Sequence, residues 1–123
     1  MKWNILYNAE KQYAEIITTG IADTESSGNM AKAIASELGP KKISKILIDH
    51  SNLEGVSGEV KELYSREKEF ENIGIPVHVK IAEVIKPEYQ EHFKLLEIIL
   101  SNRGFNVAIF YDRATALEWL LRK

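Results

Sequence analysis

Ile43-Ser44-Lys45-Ile46-Leu47-Ile48-Asp49-His50 is the stretch on which the fold reading turns. Its centre, Ile46-Leu47-Ile48, is an unbroken apolar run, closed by polar Asp49-His50-Ser51. A strand with one wetted face alternates apolar and polar side chains. An unbroken run instead suits a strand covered on both faces, as in a parallel sheet flanked by helices. The sequence therefore predicts a central strand over residues 43–50.

Working upstream, Met30, Ile34 and Leu38 recur every four residues from about Ser26, with Ala31, Ala33 and Ala35 between them. That period and composition predict a helix, stopped by Gly39-Pro40 with the glycine as a left-handed cap. Before it, Trp3 to Tyr7 and Tyr13 to Thr19 are rich in strand formers and flank the polar turn Asn8-Ala9-Glu10-Lys11, with Gly20 closing the second run. This reads as a β-hairpin.

Working downstream, Val56, Val60, Leu63 and Phe70 predict a helix ending near Ile73-Gly74, and Val77, Val79, Ile81 and Val84 a strand over 76–85. Lys86-Pro87 opens a helix with Phe93, Leu96 and Leu100 on one face, and Asn102-Arg103-Gly104 ends it with a glycine cap. Phe105 to Tyr111 is the last strand, and Asp112 caps a final helix bearing Ala116, Leu117, Leu120 and Leu121. The order β-β-α-β-α-β-α-β-α implies an α/β fold. The expected sheet is mixed and mostly parallel, with about five strands, about four flanking helices and an N-terminal β-hairpin. No linker, repeat or low-complexity tract interrupts it, so residues 1–123 read as one domain.

Composition narrows the function classes. The 123 residues are 45% apolar and 28% charged, with 16 Lys and Arg against 18 Asp and Glu for a net charge of -2. A chain without a basic surplus is not read as a nucleic-acid binder. Zero Cys excludes a disulfide framework, a zinc-thiolate site and a cysteine nucleophile. The N-terminus is too polar for a secretory signal, and no stretch approaches the ~20 apolar residues of a transmembrane segment, so the expected location is cytoplasmic.

Three local patterns carry a resemblance. Ile46-Leu47-Ile48-Asp49-His50-Ser51, Asn102-Arg103-Gly104 leading into Val107-Ala108-Ile109-Phe110, and Ala116-Leu117-Glu118-Trp119-Leu120 together resemble the SpoIIAA-like branch of the STAS superfamily, from Trp3 to Leu121. The resemblance implies a small α/β domain used in protein–protein regulation or in sensing a small ligand. The wider group is also likened to the lipid-carrying SEC14 fold, which adds an apolar ligand or lipid as the alternative. In the anti-sigma antagonists a phosphorylatable Ser lies in an Asp-Ser-Ser-Gly run after the central strand. The matching place here is Glu54-Gly55-Val56-Ser57-Gly58, which keeps the final Ser-Gly but has Gly55-Val56 in place of Asp-Ser. Glu25-Ser26-Ser27-Gly28 is closer in spelling, yet it precedes the first helix.

Ser57 is the candidate phosphorylation site. A phosphate at a helix N-terminus meets free N–H groups and the favourable end of the dipole; the plainer role for Ser57 is to cap that helix. With Ser57, the residues Gly58, Lys61, Arg66 and Lys68 form the candidate partner surface, on a charged segment whose Glu62–Arg66 pair supports a helix and whose plainer role is a solvated face. Asp49-His50-Ser51 does not make a catalytic triad, because neighbours on a strand point to opposite faces, and no Gly-x-Ser-x-Gly elbow is present. His50, His78 and His92 lack metal-ligand spacing, so no metal and no cofactor is expected.

Ligands of open α/β sheets gather beyond the carboxyl ends of parallel strands, which makes Asp49, His50, Ser51, Lys86, Tyr111 and Asp112, with Ile85, the candidate pocket rim. Two acids and a lysine there suggest a receiver-like phosphoacceptor, against which stands the opening hairpin. Trp119 is read as core, with a homodimer contact as the sharper alternative. The function expected is a non-enzymatic regulatory module acting through a protein partner or a homodimer. The alternative is a carrier of a small apolar ligand held between the sheet and helices carrying Leu63, Phe70, Phe93 and Leu96.

Overall fold

A computed structural model of the chain describes residues 1–57, 75 and 78–122. Two antiparallel strands open it, β1 (Lys2–Asn8) and β2 (Tyr13–Ala22). Asn8 shapes the turn between them by accepting the Lys11 N–H on its side chain at 2.9 Å. Helix α1 (Thr24–Leu38) follows, capped by Asp23, which accepts the Ser26 N–H at 2.7 Å in a reciprocal capping box. Next come β3 (Lys45–Asp49), β4 (Leu53–Val56) and β5 (Lys80–Val84). A single 3-10 turn, Pro87–Tyr89, leads into α2 (Gln90–Asn102), then β6 (Asn106–Phe110) and α3 (Arg113–Leu121).

The sheet runs β1-β2-β3-β5-β6, with β4 paired to β2 off that path. Every pairing except β1–β2 is parallel. Period-two alternation then sorts the side chains. Ala14, Ile16, Ile46, Ile48, Ile81 and Val107 meet Met30 and Ile34 of α1 and Phe93, Leu96 and Leu100 of α2 in one core. Tyr13, Leu47, Ala82 and Val84 point the other way and meet Ala116 and Leu120 of α3. The unbroken Ile46-Leu47-Ile48 run is thus divided between two cores, as a doubly covered strand requires.

Helix α3 is fastened at both ends. At its start Arg113 grips Glu15 of β2 with two guanidinium nitrogens, at 2.6 and 3.1 Å, and these bonds hold the guanidinium well above the ordinary Arg range. At its end the Lys80 ammonium donates to the carbonyls of Trp119 and, at 3.3 Å, Arg122, and lies 4.4 Å over the Trp119 ring. A cation among the last carbonyls of a helix satisfies acceptors that have no partner within it. Burial first, then the charges of Lys45 and Arg122, push the Lys80 ammonium below the usual Lys range. On the outer edge of the sheet, Glu97 of α2 accepts the Ile109 N–H of β6 at 3.0 Å.

The sheet differs from the sequence reading in four places. Among the described residues it has six strands where about five were expected, because Leu53–Val56 forms β4, so Val56 is in a strand and not at the head of a helix. Strand β2 does not stop at Gly20. That residue has φ +86, and the pairing slips between Gly20 and Ile21 as β4 takes over from β3. Gly39 is right-handed, with φ -55, and its glycine is needed for space: a Cβ there would stand 2.7 Å from the Ala35 carbonyl oxygen. Strand β5 begins only at Lys80. The expected helix over Val60, Leu63 and Phe70, and the start of the expected strand at Pro76-Val77, lie outside the described residues. Gly104, with φ +91, is the left-handed cap expected of it.

Among the described helices α3 alone supplies the buried helical side chains of the second core, and Leu120 is 0% exposed within it. Leu120→Ala is expected to lower unfolding free energy by about 2–5 kcal/mol. Urea denaturation checks this, and a loss no larger than that of a surface substitution would show that α3 does not support the second face.

Candidate functional site

Register brings three polar side chains together inside the first core. Ile16 stands opposite Ile48 and Ile17 opposite Asp49, so alternation places Thr18 and His50 side by side on the face covered by α1 and α2. Glu83, opposite Ile48 on β5, points to that same face. Thr18, His50 and Glu83 are 0%, 3% and 7% exposed, and they are the buried polar residues among those described. Charged and hydrogen-bonding groups this deep demand partners.

His50 supplies most of them. Its Nδ1 is 2.7 Å from the Thr18 hydroxyl, which also lies 3.2 Å from the Asp49 carbonyl oxygen. Its Nε2 is 3.5 Å from Glu83 Oε1, and its ring stacks on Phe93 at 4.9 Å. The single Thr18 proton allows two arrangements. It goes to the Asp49 carbonyl, so that Thr18 accepts from Nδ1–H, or it goes to Nδ1 itself. In the second, the ring hydrogen sits on Nε2, toward Glu83. The other carboxylate oxygen, Oε2, is buried with no hydrogen-bond partner among the described residues.

A cavity of about 40 Å³ adjoins this cluster, walled by His50, Glu83 and Ser27 on its polar side and by residues including Met30, Ile34, Phe93 and Leu96 elsewhere. A larger apolar groove of about 390 Å³ lies along the C-terminal half of α1, lined by Ile34, Leu38, Ile43, Ile46, Ile75 and Val79, with Lys42 and His78 among its polar residues.

The rim residues do not converge on one point. Asp49 Oδ1 accepts from the Ser51 N–H at 2.9 Å and the Ser51 hydroxyl at 2.6 Å, closing a local turn. His50 turns inward, away from that turn. Lys86 Nζ donates to the Leu53 carbonyl at 2.8 Å, tying β5 to the start of β4, and Ile85 is buried. The Tyr111 hydroxyl donates to Gln90 Oε1 at 3.0 Å. Asp112 caps α3 by accepting the Thr115 N–H at 2.8 Å, and its bonds to Thr115 hold its carboxyl below the usual Asp range. A receiver-like site needs two acids and a lysine around one phosphoryl group, whereas Asp49, Asp112 and Lys86 here bond to three separate partners.

Ser57 is exposed just past β4, and its N–H donates to the Ala22 carbonyl at 2.8 Å. Gly58, Lys61, Arg66 and Lys68, with Leu63 and Phe70, lie outside the described residues. His78 is exposed, and His92 meets the edge of the Phe93 ring at 5.0 Å. Trp119 is half-buried, its ring 5.6 Å from that of Phe110. Sequence reasoning missed Thr18 and Glu83. The signal for Glu83 was present: alternation through Ile81, Glu83 and Ile85 puts one acid on an otherwise apolar strand face.

No family model matches the sequence, and no curated protein does. Solved structures do match. An uncharacterised protein of the DUF3478 family with a SpoIIAA-like fold, from Shewanella loihica PV-4, is 22% identical with a TM-score of 0.55, over 97% of this chain and 92% of that one. The anti-sigma factor antagonist SpoIIAA in its unphosphorylated form is 12% identical with a TM-score of 0.56, over 96% of each chain. The Bacillus cell fate determinant SpoIIAA in its phosphorylated form is 12% identical with a TM-score of 0.50, over 96% of this chain and 98% of that one. The fold is therefore SpoIIAA-like. Among the described residues no helix is long and apolar enough to cross a membrane.

Thr18→Val keeps the side chain's shape and removes its hydroxyl, so the buried His50 Nδ1 loses its partner. An unfolding free energy about 1–3 kcal/mol lower is expected by urea denaturation, against little change for Thr19→Val on the exposed side. For Asp112 the depressed carboxyl sets the sign: its capping contribution is full above the ordinary Asp range and fades as pH falls through the lower folded-state value. Asp112→Ala should thus destabilise at neutral pH, with the difference from wild type shrinking in strong acid. A pH series of thermal melts checks it, and a constant difference down the series would sink it.

Proposed function

We propose that this chain is a single-domain, non-catalytic regulatory module of STAS type, acting in the cytoplasm by docking a protein partner. The observation that carries the reading is the likeness of nearly the whole chain to SpoIIAA, described as an anti-sigma factor antagonist, in both its phosphorylated and unphosphorylated forms. The exposed position of Ser57 directly after β4 supports a docking surface built from Ser57, Gly58, Lys61, Arg66 and Lys68. A phosphate on Ser57 would add nearly two negative charges to such a surface and change what it accepts. The self-contained bonding of the rim residues favours a platform over a reaction centre, since each acid and base there already serves a turn, a cap or a strand tie.

A second reading, the carriage of a small apolar ligand, is favoured by the groove of about 390 Å³ beside Ile34, Leu38 and Ile46, a volume within the ~300–1,000 Å³ common for ligand pockets. The 40 Å³ cavity near Phe93 and Leu96 is too small for a lipid chain in this conformation.

Affinity capture from the native host separates the two. The tagged protein should retain a specific protein partner. Arg66→Glu with Lys68→Glu should weaken that capture at least about tenfold, and Ser57→Asp should alter it. Native mass spectrometry showing a co-purified apolar molecule, with partner capture indifferent to the charge reversals, would favour the carrier instead.

A further inference from the structure

Strand β1 ends the sheet, with β2 as its hydrogen-bonded neighbour among the described residues, so alternate residues along it turn an N–H and a C=O outward. Proteins guard such an edge with charges, proline, a bulge or a covering element. The run Trp3-Asn4-Ile5-Leu6-Tyr7-Asn8 contains no charged residue and no proline, and its pairing with β2 has no register shift. Trp3 and Ile5 pack on the first core, on the face that carries α1, and alternation puts Tyr7 there too, with Lys41 5.4 Å over its ring. Asn4 and Leu6 face the other way and are exposed.

We propose that β1 is the docking edge for a second copy of this chain, pairing antiparallel with β1 of that copy about a two-fold axis through Ile5. A two-fold axis normal to the sheet makes a strand edge complementary to itself, because each outward N–H meets an outward C=O. Among the registers this allows, the one centred on Ile5 uses all seven residues of β1. It sets Trp3 opposite Tyr7 and Ile5 opposite Ile5 of the copy on the α1 face, and Asn4 opposite Leu6 on the other. An aromatic pair of this kind is favourable across strands. Lys2, the one charge on β1, falls opposite Asn8, whereas a parallel pairing would set Lys2 against Lys2 of the copy. The seam lies on β1 and the proposed partner surface begins beyond β4, so neither reading depends on the other.

Sedimentation equilibrium of the full chain, from about 1 µM to about 500 µM, should show a reversible monomer–dimer equilibrium with a Kd on the order of 10 µM. So short a seam buries less than the ~1,200 Å² of a standard interface, which sets that modest affinity. Asn4→Lys with Leu6→Lys brings like charges face to face across the seam and should weaken association at least about tenfold. Asn4→Lys with Leu6→Glu brings opposite charges together in the Ile5-centred register, whereas an axis through Asn4 or Leu6 would oppose a like pair; this variant should dimerise at least as tightly as wild type. In the wild-type protein, amide exchange within β1 should slow about fivefold or more between the dilute and concentrated ends of the series, with β6 unchanged. That measurement needs no variant to fold. Monomer throughout the series, association without slowed exchange in β1 (as a contact through Trp119 would give), a folded like-charge variant that associates as tightly as wild type, or a folded opposite-charge variant as weak as the like-charge one would each overturn the proposal.

Discussion

Strand β2 makes three pairings along ten residues, and the rest of the molecule is arranged by them. Its first seven residues pair antiparallel with β1, Ala14 to Ile17 pair in parallel with β3, and Gly20 to Ala22 pair with β4. One strand serves two successive partners on the same side only if the incoming chain leaves and rejoins it, which is what the turn after Asp49 does. The left-handed Gly20 and the slip beside it absorb the mismatch, and an L side chain there would be strained whatever space it had. His50 is the residue at which β3 departs, and Thr18 is the β2 residue it meets.

That geometry explains why His50 bonds inside the protein while the rim beside it is closed on itself. At the departure point His50 still follows the strand's alternation and turns inward to Thr18, Glu83 and Phe93. Asp49 and Ser51 on either side bond to each other and form a closed turn. A buried imidazole with a donor or acceptor on each nitrogen fixes the relative positions of β2, β3 and β5 more narrowly than aliphatic contacts do, because hydrogen bonds are directional and methyl packing is not.

The elements with strong local signals were legible in the sequence: the hairpin, the α1 period through Met30, Ile34 and Leu38, the Ile46-Leu47-Ile48 run and the Asp112 cap. What escaped was non-local. Leu53–Val56 is too short to announce itself, and it is a strand only because β2 extends past Gly20 to receive it. Gly39 beside Pro40 has the spelling of a left-handed cap, but the helix closes right-handed and the Ala35 carbonyl sets the size limit. His50 stood out by its chemistry; Thr18, 32 residues away, becomes its partner only through the register of two strands. The residues read as a rim do follow the carboxyl ends of β3, β5 and β6, but sequence does not reveal that Asp49, Lys86, Tyr111 and Asp112 each bond to a neighbour.

The bond from Ile109 N–H to Glu97 reaches beyond local packing. An outer strand normally offers its free amides to any extended chain that comes alongside. On β6 one of those amides is already taken, and by a carboxylate that an arriving backbone carbonyl would have to displace. Growth of the sheet by a stranger's strand is therefore hindered on that flank, whereas the hairpin flank, with exposed Leu6 and Tyr7 on β1, carries the apolar side chains that favour such pairing. The molecule is polarised with respect to self-association, and fibrils or strand-exchanged dimers formed under stress should begin at the N-terminal hairpin.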